Sequence, residues 1–209
     1  YSWVKPGKYM GVWWEMIGTN ESTWWQSKYH GAKTEKVKYY LDFASKHNFD
    51  GLLVEGWNKG WYPEWCCVGD GIPFSFTETF DDFDIDFLSK YGLKKNISLI
   101  GHHETGGQIQ NYENQMEDAF KMYNKYGVKN IKTGYVNDVS KNIKVYAENG
   151  EISKEWHHGQ YMINHFQKVI DIAAKYQLTI KTHEPIKDTG LRRKYPNFIS
   201  REGAKGQEF

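Results

Sequence analysis

Two stretches of the sequence, ISLIGHHETGG (97–107) and LTIKTHEPIK (178–187), each end an apolar run in a His-Glu pair. Charged groups are costly to bury unless they are paired, so such strand ends point to a site rather than to packing. Glu104 and Glu184 stand in these pairs, and Glu202 and Glu208 follow near the end of the chain. Carboxylates at a sheet's mouth suit three roles: acid and base in glycosidic cleavage, ligands of a hard cation such as Ca²⁺, or solvated loop charges. For Glu202 and Glu208 by themselves the last role is the ordinary one. His102, His103, His157, His158 and His183 suit either a zinc hydrolase or hydrogen bonds to sugar hydroxyls. A zinc barrel would want His-x-His closing its first strand, where Trp13, Trp14 and Glu15 stand instead. Lys132, on an apolar strand, is placed to hold a hydroxyl or neighbouring carboxylates.

The elements that must carry these residues alternate. Strands are expected over 11–17, 51–57, 97–103, 130–136 and 178–184, the last followed by a loop holding Glu202 and Glu208. Helices are expected over 34–48, with Thr34 as cap, near 84–91, over 111–127 behind an Asn111 cap, and over 159–176. Residues 137–158 read as an exposed loop. Strand–helix alternation implies a parallel sheet with right-handed crossovers. The unusual residues Glu15, Glu55, His102–Glu104, Lys132 and His183–Glu184 fall at successive strand C-termini, which is where a (β/α)8 TIM barrel builds its site. No glycine fingerprint for a dinucleotide follows the first strand. The expected fold is therefore α/β, about the first five βα units of a TIM barrel, with an unpaired fifth strand.

Composition narrows the partners. Lys and Arg number 27 against 26 Asp and Glu, a net charge of +1 that offers no footprint for nucleic acid or an anionic membrane. No apolar run approaches the roughly 20 residues that span a bilayer. The opening residues, YSWVKPGKYMGVWWE, read as the middle of a longer protein. The adjacent Cys66 and Cys67 read as two thiols, since a bridge between neighbours is strained. Aromatic residues make up 17% of the chain, and Trp13, Trp14, Trp24, Trp25, Trp57, Trp61 and Trp65 are candidate stacking faces for sugar rings as well as candidate core.

The motifs GHHETGGQIQNYENQ, IKTGYV, HHGQYMINH, HEPIKDTGLRRKYPN and REGAKGQEF carry a resemblance that runs from about Trp3 to Phe209. The chain resembles glycoside hydrolase family 97, the α-glucosidases and α-galactosidases typical of gut Bacteroidetes. The resemblance implies a partial catalytic domain covering residues 1–209. In complete members a β-sandwich domain precedes it, and the rest of the barrel and a small C-terminal β domain follow. It also implies a periplasmic or secreted setting. The inverting branch carries glutamates in the HHET and HE motifs, as Glu104 and Glu184 do here. The retaining branch instead ends strand four in a nucleophilic aspartate, where this chain has Gly134. The branch implied is thus the inverting α-glucosidase.

On that resemblance Glu208 is the general acid, and Glu104 and Glu184 are the bases. Glu55, His102, Lys132 and His183 bind substrate. Glu184, Glu202 and Glu208, with one ligand from the preceding domain, bind Ca²⁺. The expected partner is an oligosaccharide or α-glucoside. A retaining α-galactosidase of the same family, a zinc-dependent barrel hydrolase and a non-catalytic sugar-binding module are the competing readings. Pro185, directly after Glu184, raises the further question of how that glutamate's backbone is set.

Overall fold

The computed structural model describes every residue except 20, 66–71, 137–142, 205 and 207–209. Cys66, Cys67 and Glu208 lie outside the described residues. Six strands form one parallel sheet: β1 (Tyr9–Val12), β2 (Gly51–Val54), β3 (Ser98–Glu104), β4 (Asn130–Gly134), β7 (Thr179–His183) and β8 (Phe198–Glu202). They pair in the order β1-β2-β3-β4-β7-β8. A separate antiparallel hairpin, β5 (Ile143–Tyr146) with β6 (Ile152–Glu155), occupies part of the stretch expected to be irregular. The helices are α1 (Trp14–Ile17), α2 (Thr34–Lys46), α3 (Ile85–Leu93), α4 (Ile109–Lys125), α5 (Gln160–Lys175) and α6 (Leu191–Lys194). No described helix is long and apolar enough to cross a membrane.

Burial explains the long elements. β2 reads Gly-Leu-Leu-Val and is buried throughout, as a strand covered on both faces must be. α4 turns Tyr112, Met116, Ala119, Phe120 and Tyr123 inward, and α5 does the same with Met162, Phe166, Val169, Ile170 and Ala173. Their spacing of three and four residues is the helical period read from the sequence. Two caps differ from expectation: Lys33 and Gln108, not Thr34 and Asn111, precede α2 and α4. Thr34 instead donates its hydroxyl to the Asp82 carbonyl at 2.7 Å and accepts from the Asp84 N–H at 2.8 Å. It thereby ties α2 to the start of α3, where Asp84 is the cap.

Both ends of the expected sheet change. The stretch 11–17 splits, because α1 begins two residues after β1 ends. Glu15 therefore leaves the strand rim; it accepts hydrogen bonds from Ser22 and Tyr40 and pairs with Lys36 at 3.2 Å. At the other end FISRE forms a sixth strand, β8, so β7 has a parallel neighbour and is no open edge. The stretch carries one Arg and one Glu in five residues, and that polarity hides its strand character in the sequence.

The sheet is curled into a half-barrel. The Nζ of Lys181 on β7 donates to the hydroxyl of Tyr9 on β1. Four strand spacings separate β1 from β7, about 19 Å in a flat sheet. Two side chains bridge that gap only when the sheet bends toward them. Packing on the outer side is close at Gly101, where an added Cβ would stand 2.4 Å from the Tyr123 ring. The Tyr123 hydroxyl accepts the His102 N–H at 3.1 Å. Gly101→Ala in the complete protein is expected to cost about 1–3 kcal/mol, the usual penalty for overpacking a core, read as a lower midpoint in chemical denaturation. An unchanged midpoint would show that the ring is free to move.

Candidate active site

Strand register alone builds the rim in layers. His102, Lys132 and Lys181 are direct neighbours across β3, β4 and β7. Two residues further on, hence on the same face, Glu104 stands beside Gly134, and His183 beside Glu202. Two lysines side by side would repel. Glu202 offsets this, with Oε2 lying 2.7 Å from Lys181 Nζ and 3.8 Å from Lys132 Nζ. Lys132 also donates to Glu55 Oε1 at 3.1 Å. Burial works against the Lys132 charge, but Glu55 and Glu202 raise its pKa above the ordinary lysine value. The hydrogen bond from His183, together with the two lysines, holds Glu202 well below the carboxylate range.

His183 sits between two carboxylates, with Nδ1 2.8 Å from Glu184 Oε1 and Nε2 3.2 Å from Glu202 Oε1. Burial opposes its charge, yet these two bonds carry its pKa up to about 9. Glu184 itself lies one residue past β7 with φ +44°, a left-handed conformation. That is doubly unfavourable for a non-glycine residue followed by proline. The strain is held by its neighbours: Tyr135 N–H donates to Oε2 at 2.7 Å, and the carbonyl is 2.7 Å from His157 Nε2. Strained backbone of this kind collects at functional sites.

Glu104 is almost fully buried. Its Oε1 accepts the N–H groups of Gly106 at 2.8 Å and Val136 at 3.0 Å. Burial, reinforced by the neighbouring Glu184 carboxylate, pushes its pKa up to about 8. Gly106 (φ +56°) and Gly107 (φ +80°) permit the sharp turn that brings the Gly106 N–H back to it. On the adjacent strand, a Cβ at Gly134 would stand 2.0 Å from Glu104 Oε2. Any side chain at 134 therefore competes with Glu104 for one space.

Several expected residues turn out to have other roles. His103 points away from the rim and stacks between Phe120 and Tyr123, with Nδ1 3.0 Å from the Tyr112 hydroxyl; it is core. His158 is exposed. Trp57 and Trp61 are buried, so neither is an open stacking face, though Trp61 lies against the His102 ring. His102 is kept neutral by burial, with Lys132 adding to the effect. Its Nε2 is 3.7 Å from Glu55 Oε1, too long for a hydrogen bond, and its buried Nδ1 has no partner among the described residues. Lys181 and Tyr9 were missed by sequence reading. Lys181 had a signal, standing two residues before His183 on the same strand face.

Glu184 and Glu202 thus approach one common ring with hard oxygen donors, which suit Ca²⁺ better than zinc. Among the described residues no three His, Cys, Asp or Glu side chains gather as a metal cluster, and the third expected ligand, Glu208, lies outside them.

The curled parallel sheet brings carboxylates, lysines and a histidine together at its strand C-termini, the end at which barrel proteins build their sites. The glycoside hydrolase 97 sequence model matches residues 13–204, and the chain belongs to that family. A family 97 enzyme from Pseudoalteromonas sp. strain K8, solved in complex with acarbose, is 55% identical and matches all of this chain with a TM-score of 0.92. A variant from the same strain, solved with panose, is 54% identical over the whole chain, again with a TM-score of 0.92. This chain spans 31% of each of those chains. A retaining α-galactosidase of Bacteroides thetaiotaomicron is 25% identical over 99% of this chain, which spans 26% of that protein.

Gly134→Ala is expected to fold, since the atom in the way is the end of a flexible side chain, and, with Glu104 as general base, to lower kcat by on the order of 100-fold, the scale of losing such a base. Steady-state kinetics of the complete protein check this. A fully active Gly134→Ala enzyme would show that the Glu104 position is dispensable.

Proposed function

We propose that the complete protein is a calcium-dependent glycosidase that cleaves terminal α-glucosidic bonds with inversion. The observation that carries this reading is the space at Gly134. Retention needs a nucleophile on the sugar's far face. With Glu104 in place strand four has no room for one, and glycine supplies none. Inversion needs instead a base that holds water. Glu104 and Glu184 suit that role, because their carboxylates are fixed by neighbouring backbone N–H groups. Once ionised, as it becomes when the pH rises toward about 8, the Glu104 carboxylate takes a proton from water more readily than an ordinary one.

Glu208 acts as the acid that protonates the leaving oxygen. Glu55, Lys132 and His183 hold substrate hydroxyls, and His102 offers them a neutral imidazole whose Nδ1 is unpaired among the described residues. Glu184, Glu202 and Glu208 hold the cation together with a ligand from a preceding β-sandwich domain. When bound, Ca²⁺ supplies positive charge that orients the carboxylates and biases their protonation. The chain is part of a (β/α)8 catalytic domain, with a C-terminal β domain after it, in a periplasmic or secreted enzyme.

The stereochemistry is read by proton NMR during digestion of an α-glucoside by the complete protein. β-Glucose is expected first, with the α anomer arising later by mutarotation. Initial release of the α anomer would establish retention, the behaviour named for the Bacteroides relative, and overturn the reading. Chelation is expected to remove most activity and added calcium to restore it. Restoration by zinc alone would favour a zinc hydrolase. Glu208→Gln is expected to slow substrates with poor leaving groups by about 100-fold or more, while sparing activated aryl glucosides, whose leaving oxygen needs little protonation. Equal loss on both would remove Glu208 as the acid.

A further inference from the structure

Behind the rim, a line of side chains runs from the surface to the two proposed bases. Lys168 on α5 donates to Glu113 Oε2 on α4 at 2.6 Å. Glu113 Oε1 lies 2.8 Å from Nδ1 of His165, and His165 Nε2 lies 3.0 Å from the Tyr135 hydroxyl. The chemistry orders the protons. Burial opposes the charge on Glu113, but hydrogen bonds from His165 and Lys168 hold its pKa down at about 2. Burial also lowers the His165 pKa, against the pull of Glu113, which leaves the imidazole neutral. An ionised carboxylate only accepts, so the single imidazole proton sits on Nδ1 and Nε2 accepts from the Tyr135 O–H.

Tyr135 is the first residue after β4 and is 1% exposed. Its ring packs on Phe166 at 4.8 Å, in a cluster with Ile109, Met162 and Ile186. Its backbone N–H donates to Glu184, and the next N–H, of Val136, donates to Glu104. One two-residue segment therefore orients both carboxylates. Its side-chain hydroxyl is bonded to a buried histidine on α5 whose other nitrogen is bonded to α4.

We propose that Tyr135, His165 and Glu113 are positioning residues, a hydrogen-bonded anchor between the α4–α5 pair and the end of β4 that sets the direction of the N–H groups holding Glu104 and Glu184. The proposal rests on reading those two glutamates as the acting bases. A peptide plane tied at one end to packed helices keeps its N–H direction through the reaction. A plane freed from them lets the carboxylates drift, and drift of about 1 Å costs up to 100-fold in rate.

The test uses the complete protein with maltose. Tyr135→Phe keeps the ring and the backbone N–H but removes the hydroxyl. It is expected to lower kcat by about 10–100-fold, the range for groups that orient acting ligands, with KM within about twofold. Glu113→Leu, which removes the acceptor for the His165 Nδ1–H, should have a similar effect. The double variant should be no slower than the slower single, because one chain is broken twice. Tyr176→Phe removes an exposed hydroxyl bonded to Glu117 at 2.8 Å and should leave kcat unchanged. Normal kcat in folded Tyr135→Phe, or a loss that only tracks the unfolded fraction, overturns the anchor; should Tyr135→Phe fail to fold, Glu113→Leu alone decides.

Glu104→Gln and Glu184→Gln separate the two ideas. If both remain fully active, the functional reading fails; if both are slow while Tyr135→Phe is normal, the anchor alone fails. A crystal structure of Tyr135→Phe gives a readout that needs no substrate. Displaced Glu104 and Glu184 carboxylates support the anchor, and unmoved ones refute it.

Discussion

The structure depends on charge cancellation at a partly buried strand rim. Glu55, Glu104, Glu184 and Glu202 meet at one end of the sheet, where low polarizability makes an unpaired charge expensive. Lys132, Lys181 and His183 are interleaved with them by strand register, so Lys132 and His183 each face two carboxylates and Lys181 faces Glu202. That arrangement requires curvature. A flat sheet would leave Tyr9 and Lys181 far apart and would spread the carboxylates along an edge. Curled, the sheet brings five strands' polar ends within reach of one another. The cost of burying charge thus becomes the reason the rim holds together.

Glu104 is the exception that defines the site. It has no cation of its own among the described residues and is held by two backbone N–H groups instead. Burial and the nearby Glu184 make it basic. Its carboxylate fills the space beside Gly134, so one glycine both admits this glutamate and excludes a nucleophile from the neighbouring strand. Glu184 is placed differently, at the expense of backbone strain ahead of Pro185, and that strain is countered by bonds from Tyr135 and His157. Two glutamates that look alike in sequence, each after a histidine, are therefore held by different physical means.

The main pattern was legible in the residues themselves. Apolar runs ending in polar pairs located β3 and β7, helical periodicity located α2, α4 and α5, and alternation implied a parallel sheet, because each follows from local period and burial. The inward direction of Lys132 was also readable, since a lysine in a short apolar strand has few other places to go. β8 was not, because Phe-Ile-Ser-Arg-Glu becomes a strand through pairing with β7 rather than through its own propensity. α1 was lost for the same reason: Trp-Glu-Met-Ile suits either element, and tertiary contacts chose the helix.

Which face a residue occupies is a matter of one position, and there the sequence reached its limit. His102 and His103 are neighbours of the same type, yet alternation sends one to the rim and the other into the aromatic core under α4. Glu15 and Glu55 both follow apolar stretches, but a helix start turns the first outward. By its own periodicity and motifs the sequence determined the types of the long helices and of the four strands β2, β3, β4 and β7, the parallel sheet and the residue types at its mouth. Only the tertiary structure decided the curl, the pairing of each charge and the space beside Gly134, because these depend on distances between segments up to 172 positions apart in the chain, which no local pattern encodes.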